Sequence, residues 1–313
     1  MSKVYDCFMF FNELDLLEIR LETLNPYVDY FVISECDSTF SGVDKPYVFE
    51  KHKDKFAKFA DKIIHVKNHN SKEYVNLSNT YTGKKYDIYN KIIEIHNDHK
   101  PEYGHGQPHW CRDYIHREYI KLGMSDCLDD DIVMFSDLDE IPNPEVLKNI
   151  RNLDMNKQYC LLQDNNNYYV NNIASTNWRG NIICKYSHLK DKSLNMMRHL
   201  SRQDELNFVF IENAGWHLSF MGPPERIKIK LKSYSHQEFN NSFYINNIEN
   251  NMNNNKDVLG RNGYNTFNSN LEKFYFDNLK TVKMDGYFPP LMIKIIEEKF
   301  PYLIKKTATP KVK

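Results

Sequence analysis

Apolar residues along this chain come in blocks that switch between strand-sized runs and helical periods. Val4 to Phe10 is a short apolar run, the pattern of a strand buried on both faces. Leu14, Leu17, Ile19, Leu21 and Leu24 then give an apolar side to a helix from Glu13 to about Leu24. Asn12 is its expected cap and Asn25-Pro26 its stop. Tyr30 to Ser34 predicts a second strand, Lys51 to Ala60 a helix and Ile63 to Val66 a third strand. Strand, helix, strand, helix, strand is the order of a parallel α/β sheet covered on both faces.

From Lys67 to Pro108 the period fades into Asn, His, Tyr and Lys, which predicts a long irregular insert of the kind that forms lids or substrate loops. His109 to Leu122 returns to helix. The second half predicts short strands at Tyr159 to Gln163, Tyr168 to Val170, Ile182 to Tyr186, Phe208 to Ile211 and Gly215 to Phe220, with Trp178-Arg179-Gly180 between two of them. Gly222-Pro223-Pro224-Glu225 opens a helix to about Tyr234, closed by Ser235-His236-Gln237-Glu238. Asn240 to Asn255 reads as an exposed low-complexity loop, and Pro290 to Ile304 contains an amphipathic helix packing back on the body. The expected organisation is one catalytic domain over 1–240, holding the 67–108 insert, and an extension over 241–313.

Asp130 to Pro142, DDIVMFSDLDEIP, is the centre of this pattern. Ile132 to Phe135 is a buried-strand run, and Asp137-Leu138-Asp139-Glu140 follow at its end. In a parallel sheet, groups just past the carboxyl end of a strand face the crevice where ligands bind. Two carboxylates separated by one residue can converge there on a hard cation, Mn²⁺ or Mg²⁺. Asn143 and Pro144 supply their own helix start, so neither Asp is needed as a cap.

Composition narrows the function further. A formal charge of -1 over 313 residues gives no electrostatic case for nucleic acid. No apolar run reaches transmembrane length, and MSKVYDCFMFF lacks a secretory signal's apolar core and cleavage site. Six scattered cysteines without Cys-x-x-Cys spacing predict buried thiols in a reducing compartment. A cytoplasmic protein without a membrane anchor is expected.

Several motifs in order resemble glycosyltransferase family 17. They include Asp6-Cys7-Phe8, the stretch Phe11-Asn12-Glu13-Leu14-Asp15-Leu16-Leu17-Glu18-Ile19-Arg20-Leu21, and Tyr30-Phe31-Val32-Ile33 with Glu35. Thr39-Phe40, Lys62-Ile63-Ile64-His65-Val66 and the central Asp-x-Asp-Glu-Ile-Pro continue the series. Trp178-Arg179-Gly180, Gly215-Trp216-His217 with Ser219, and Ser235-His236-Gln237-Glu238 extend it to about residue 240. The resemblance implies a GT-A-like (Rossmann-like) fold, a UDP-sugar donor (UDP-GlcNAc in the animal enzyme), a divalent cation, a glycan acceptor and inversion at the anomeric carbon.

It also implies roles. Asp137 and Asp139 would hold the metal, with Asp137 able to touch ribose. His236, ahead of His217, would be the third ligand. Glu225 would be the general base, with Asp204, Glu205, Glu212 and Glu238 as other candidates. Phe10, Phe11 and Asn12 would approach uracil and ribose, and Glu35 the nucleotide. Arg179, with Arg112, Arg117, Lys230 and Lys232, could contact phosphate, and Trp110, Trp178 and Trp216 could be sugar platforms. Glu13 and Arg20 could form a buried ion pair. Two other classes remain open on the residues alone: a sugar nucleotidyltransferase and a non-catalytic glycan-binding module. The first would carry a Gly-rich basic loop where this chain has Phe11-Asn12-Glu13-Leu14.

Overall fold

The computed structural model describes residues 2–69, 81–99, 106–203, 207–261 and 273–306. Its first part follows the predicted order: β1 (Val4–Phe10), α1 (Leu14–Leu24), β2 (Tyr30–Cys36), α2 (Val48–His52) and β3 (Ile63–Asn68). Next come α3 (Lys84–His99), α4 (Pro108–Glu118), β4 (Ile132–Asp137), β5 (Glu140–Pro142) and α5 (Pro144–Leu147). A hairpin of two long strands, β6 (Tyr159–Tyr168) and β7 (Asn172–Lys185), leads to α6 (Leu194–Gln203), β8 (Val209–Ile211) and β9 (Gly215–Met221). The chain ends with α7 (Pro224–Ser233), α8 (Ser242–Asn253), β10 (Lys280–Thr281) and α9 (Pro290–Lys299).

The strands form one mixed sheet in the order β3-β2-β1-β4-β7-β6-β9-β5. β3, β2, β1 and β4 run parallel, and β7 joins β4 antiparallel. β1 shows why this half reads as unbroken apolar runs. Val4, Phe8 and Phe10 enter one apolar cluster with α1 and α9, while Tyr5, Cys7 and Met9 enter a second cluster. With both faces covered, both sets of alternate positions are apolar except for Asp6, whose buried charge is met by Arg20. The chain leaves β1 toward β2 on one side, and β4 lies on the other. This is a reversal of strand order, and ligands of α/β sheets bind outside the carboxyl ends of the strands at such a point.

Three expectations change. The Asn240 to Asn255 tract is not a loop: Asn241 caps α8 by accepting from Phe243 N–H at 3.0 Å. Ile245, Ile248 and Met252 form an apolar stripe against a third cluster. The expected irregular insert contains α3, whose Ile88, Tyr89, Ile92 and Ile93 pack on the second cluster. Residues 70–80 and 100–105 of that insert lie outside the described residues. The third change concerns β6 and β7, which are continuous where short strands were expected, with Trp178-Arg179-Gly180 inside β7. The polar run Asp164-Asn165-Asn166-Asn167 is strand because it sits between β7 and β9, where side chains bond one another and nearby carbonyls. Asn166 donates to the Val170 carbonyl at 2.6 Å and Asn167 to Asp257 at 2.9 Å. All six cysteines are buried. Among the described residues no helix is long and apolar enough to cross a membrane.

Candidate active site

The turn from Asp137 to Glu140 is held from beneath by Arg20 of α1, which has no exposed surface. Its Nε and Nη2 donate to Asp6 at 2.8 and 2.6 Å, and Nη2 also reaches Ser136 Oγ at 2.9 Å. Nη1 donates to the carbonyls of Asp137, Leu138 and Glu140 at 3.0, 3.0 and 2.9 Å. A planar guanidinium offers several donors in fixed directions, so one side chain can satisfy a whole turn of carbonyls. The pair anticipated between Glu13 and Arg20 is therefore replaced by Asp6–Arg20. Glu13 instead accepts the Asn12 N–H at 3.0 Å.

Above the turn, three carboxylates meet three cations brought by three helices. Asp137 accepts from Arg117 of α4 at 2.9 Å and from Arg198 of α6 at 3.0 Å, and its side chain is 32% exposed. Burial works to raise its pKa, but the Arg198 and Arg117 charges outweigh it and hold the carboxyl well below the usual range. Glu140 is fully buried. It takes both Arg198 terminal nitrogens, the Trp178 indole N–H at 2.8 Å and the Asp137 N–H at 3.1 Å. Its pKa is lowered against burial, chiefly by Arg198. Asp139 accepts from Lys230 of α7 at 2.7 Å and has His217 Nε2 at 3.6 Å.

His217 comes from β9, where strand pairing sets it opposite Glu140. Its ring stacks on Trp178 at 4.5 Å, and the Arg202 guanidinium lies 4.9 Å from the Trp178 ring centre. Burial lowers the His217 pKa, which favours the neutral ring, and among the described residues its buried Nδ1 has no hydrogen-bond partner. A neutral imidazole beside a carboxylate is a donor set for a divalent cation.

The fit to such an ion is therefore divided. Asp139 and His217 offer one carboxylate and one imidazole on the same side of the crevice, a small protein share that suits an ion completed by substrate phosphates and water. Both oxygens of Asp137 are engaged by arginines, and among the described residues no three His, Cys, Asp or Glu side chains are grouped to hold a metal ion.

Other anticipated residues are dispersed. Phe11 and Asn12 sit at the end of β1 beside the crevice; Lys45 lies 5.8 Å from the Phe11 ring centre, and Asn12 lines a small cavity with Glu13, Arg226 and Lys230. Phe10 points the other way into the core, edge-on to Phe49, because alternate strand positions face opposite sides. Glu35 is fully buried and accepts from the Val48 and Phe49 N–H groups and from His65, so it caps α2 instead of facing a nucleotide. Arg179 is buried, donates to the Ser201 carbonyl at 2.9 Å and stacks on Phe210; alternation turns it from the face that Trp178 presents.

His236 is on the surface, bonded to Glu238 at 2.7 Å and edge-on to Trp110. Glu225 is 77% exposed and paired with Lys228 at 2.6 Å. Lys230 is five positions further along the helix and about 140° round it, so Glu225 faces away from Asp139. Trp216 is core, packed on Phe288 at 4.8 Å. Asp204 and Glu205 lie outside the described residues. Arg198 and Arg202 went unnoticed in the sequence; their only local signal is a basic pair at i and i+4 on a helix whose Leu194 and Met197 are buried.

Paired acids and cations at the switch point of a mixed sheet thus mark the candidate site of an α/β protein. The family model of glycosyltransferase family 17 matches residues 1–100 and 84–286 of the chain, which thus belongs to that family. It is a glycosyltransferase, acting between a sugar donor and a glycan acceptor. No curated protein matches it.

Proposed function

We propose that the chain moves GlcNAc from UDP-GlcNAc to a glycan hydroxyl with inversion, on a GT-A-like scaffold, with Mn²⁺ or Mg²⁺ held by Asp139 and His217. The observation that carries this reading is Asp139 set between Lys230 and His217 at the carboxyl edge of β4. A sugar diphosphate leaves with concentrated negative charge, and the cation supplies Lewis-acid neutralisation of that charge when bound.

The chain's own residues do the rest. Phe11 and Asn12, next to the β1 end, receive the nucleoside. Lys230 exchanges Asp139 for phosphate oxygens, and burial of its stem keeps the ammonium directed into the crevice. Arg117 and Arg198 keep Asp137 ionised and stationary, which suits a ribose hydroxyl better than a metal. Trp178, fixed by Glu140 and stacked on His217, offers its edge and the Arg202 plane to the sugar. Inversion in one step needs a carboxylate to take the acceptor's proton; Glu225 faces solvent, and we give it no part in that transfer.

The test is release of UDP from UDP-GlcNAc with Mn²⁺, with Mg²⁺ and with EDTA. Metal-dependent release, lost in Asp139→Ala and His217→Ala, is expected. Full release in EDTA would remove the cation from the reading, and release from other UDP-sugars alone would change the donor.

A further inference from the structure

Outside the acidic crevice the chain has a second concavity, a groove of ≈ 480 Å³ between the start of α7, α8 and the chain after α9. Tyr169, Pro223, Pro224, Arg226, Met252 and Tyr302 line it. This volume is within the range of small-ligand sites. We propose that the groove is the acceptor subsite, taking a neutral pyranose of the glycan that receives the transferred sugar; the inference rests on the glycosyl-transfer reading above.

Three features support a saccharide over another occupant. Tyr302 is 51% exposed, yet its hydroxyl donates to the buried Asp15 at 2.7 Å, so an open aromatic face is held in place. A fixed aromatic face with a polar edge packs against the C–H face of a pyranose at little entropic cost. Beside it, Arg226 binds Asp15 through both terminal nitrogens, Nη2 at 2.8 Å, leaving a rigid planar polar group at the groove wall for hydroxyls. The wall is also shared. Arg226 lines the small cavity that contains Asn12, Glu13 and Lys230. Arg226 and Lys230 are one helical turn apart, roughly 6 Å, so the groove's Arg226 wall neighbours the residue that holds Asp139.

Local backbone explains how the groove forms. Gly222 has φ +95°, a conformation other residues rarely adopt, and it turns the chain from β9 directly into the Pro223-Pro224 start of α7. The Val170 N–H donates to the Leu303 carbonyl at 2.9 Å, which ties the Tyr302 segment to the β6–β7 hairpin.

The experiment is saturation-transfer NMR on the full chain, with and without UDP, using methyl α-mannoside, methyl β-glucoside, methyl β-galactoside and N,N′-diacetylchitobiose as probes. At least one probe should bind, with affinity falling tenfold or more in Tyr302→Ala and in Met252→Trp, which fills the groove from its other wall without touching Asp15. Unchanged melting temperatures and UDP affinity would separate these losses from unfolding. Saccharide binding that survives both substitutions, or no probe binding to a protein that binds UDP, overturns the groove assignment. Failure of the wild-type protein to bind UDP, with saccharide binding still sensitive to Tyr302, would instead overturn the donor reading alone.

Discussion

Arg20 and Arg198 reach the same acidic turn from two helices packed on different apolar clusters, and their surroundings differ. Arg20 is sealed in, with six donor contacts to Asp6, Ser136 and three carbonyls. Arg198 holds the buried Glu140 and the partly exposed Asp137, next to two buried polar atoms that lack partners among the described residues, His217 Nδ1 and Arg117 Nε. A buried ion network that only supports a fold gains by filling every donor and acceptor. Capacity left unfilled, beside a carboxylate that holds a lysine and not a carbonyl, is what a site needs if its partners are to change when substrate arrives. The lower set fixes backbone, and the upper set is the one the proposed function would use.

Substitutions can break that contrast. The largest effect is expected from Arg20→Met, which strands the buried Asp6 carboxylate and the Leu138 carbonyl, while the Asp137 and Glu140 carbonyls keep Ser136 Oγ and Asn181 Nδ2. Loss of one partner of a buried pair costs about 3–5 kcal/mol, to be read from urea unfolding; a loss as small as that of a surface substitution would end the supporting role. Asp139→Ala should cost less stability than Arg20→Met, because Lys230 is partly exposed and can turn to water, while lowering metal-dependent UDP release by roughly 100-fold or more, the scale of removing one stabilising group from a transition state. Retained turnover would remove Asp139 from the site.

A third effect depends on pH. His116 is buried, its Nε2 bonded to the Ser34 carbonyl at 3.0 Å, and burial lowers its pKa to about 4. Unfolded, the imidazole binds a proton near pH 6.5, so between those values the unfolded chain holds more protons and stability falls as pH falls. The change amounts to about 3 kcal/mol across the window, and His116→Gln should flatten that slope in unfolding curves taken from pH 7 to pH 4. Asp137 and Glu140, with lowered pKa values, add stability that is present above the ordinary carboxylate range and lost only in stronger acid. The smallest effect belongs to Glu225→Gln: turnover within about twofold of wild type, as for a surface substitution. A large loss of turnover with donor binding intact would return the base role to Glu225.

The alternation of apolar runs determined β1, β2 and β4, because strands buried on both faces carry their environment in their own composition; β3, the edge strand with Lys67 exposed, was legible from its Ile63-Ile64 start. It also placed Asp137 and Asp139 at a strand end, and Asn143, whose side chain accepts the Glu145 N–H at 3.1 Å, at a helix start. These are local facts, set by neighbours within a few residues. Glu35 shows the limit: its position at the end of β2 was legible, but the cap it makes on α2 depends on a segment ten or more residues away. α8 was obscured because asparagine count outweighed an apolar period that matters only against a cluster built by α7 and more distant strands. Tertiary structure alone decided which cations face which acids. Arg117, Arg198, Lys230 and His217 lie on four separate elements, and no sequence spacing relates them to Asp137 and Asp139. Electrostatic partnership acts through space at a few ångströms, so it exists only once the sheet has brought those elements together.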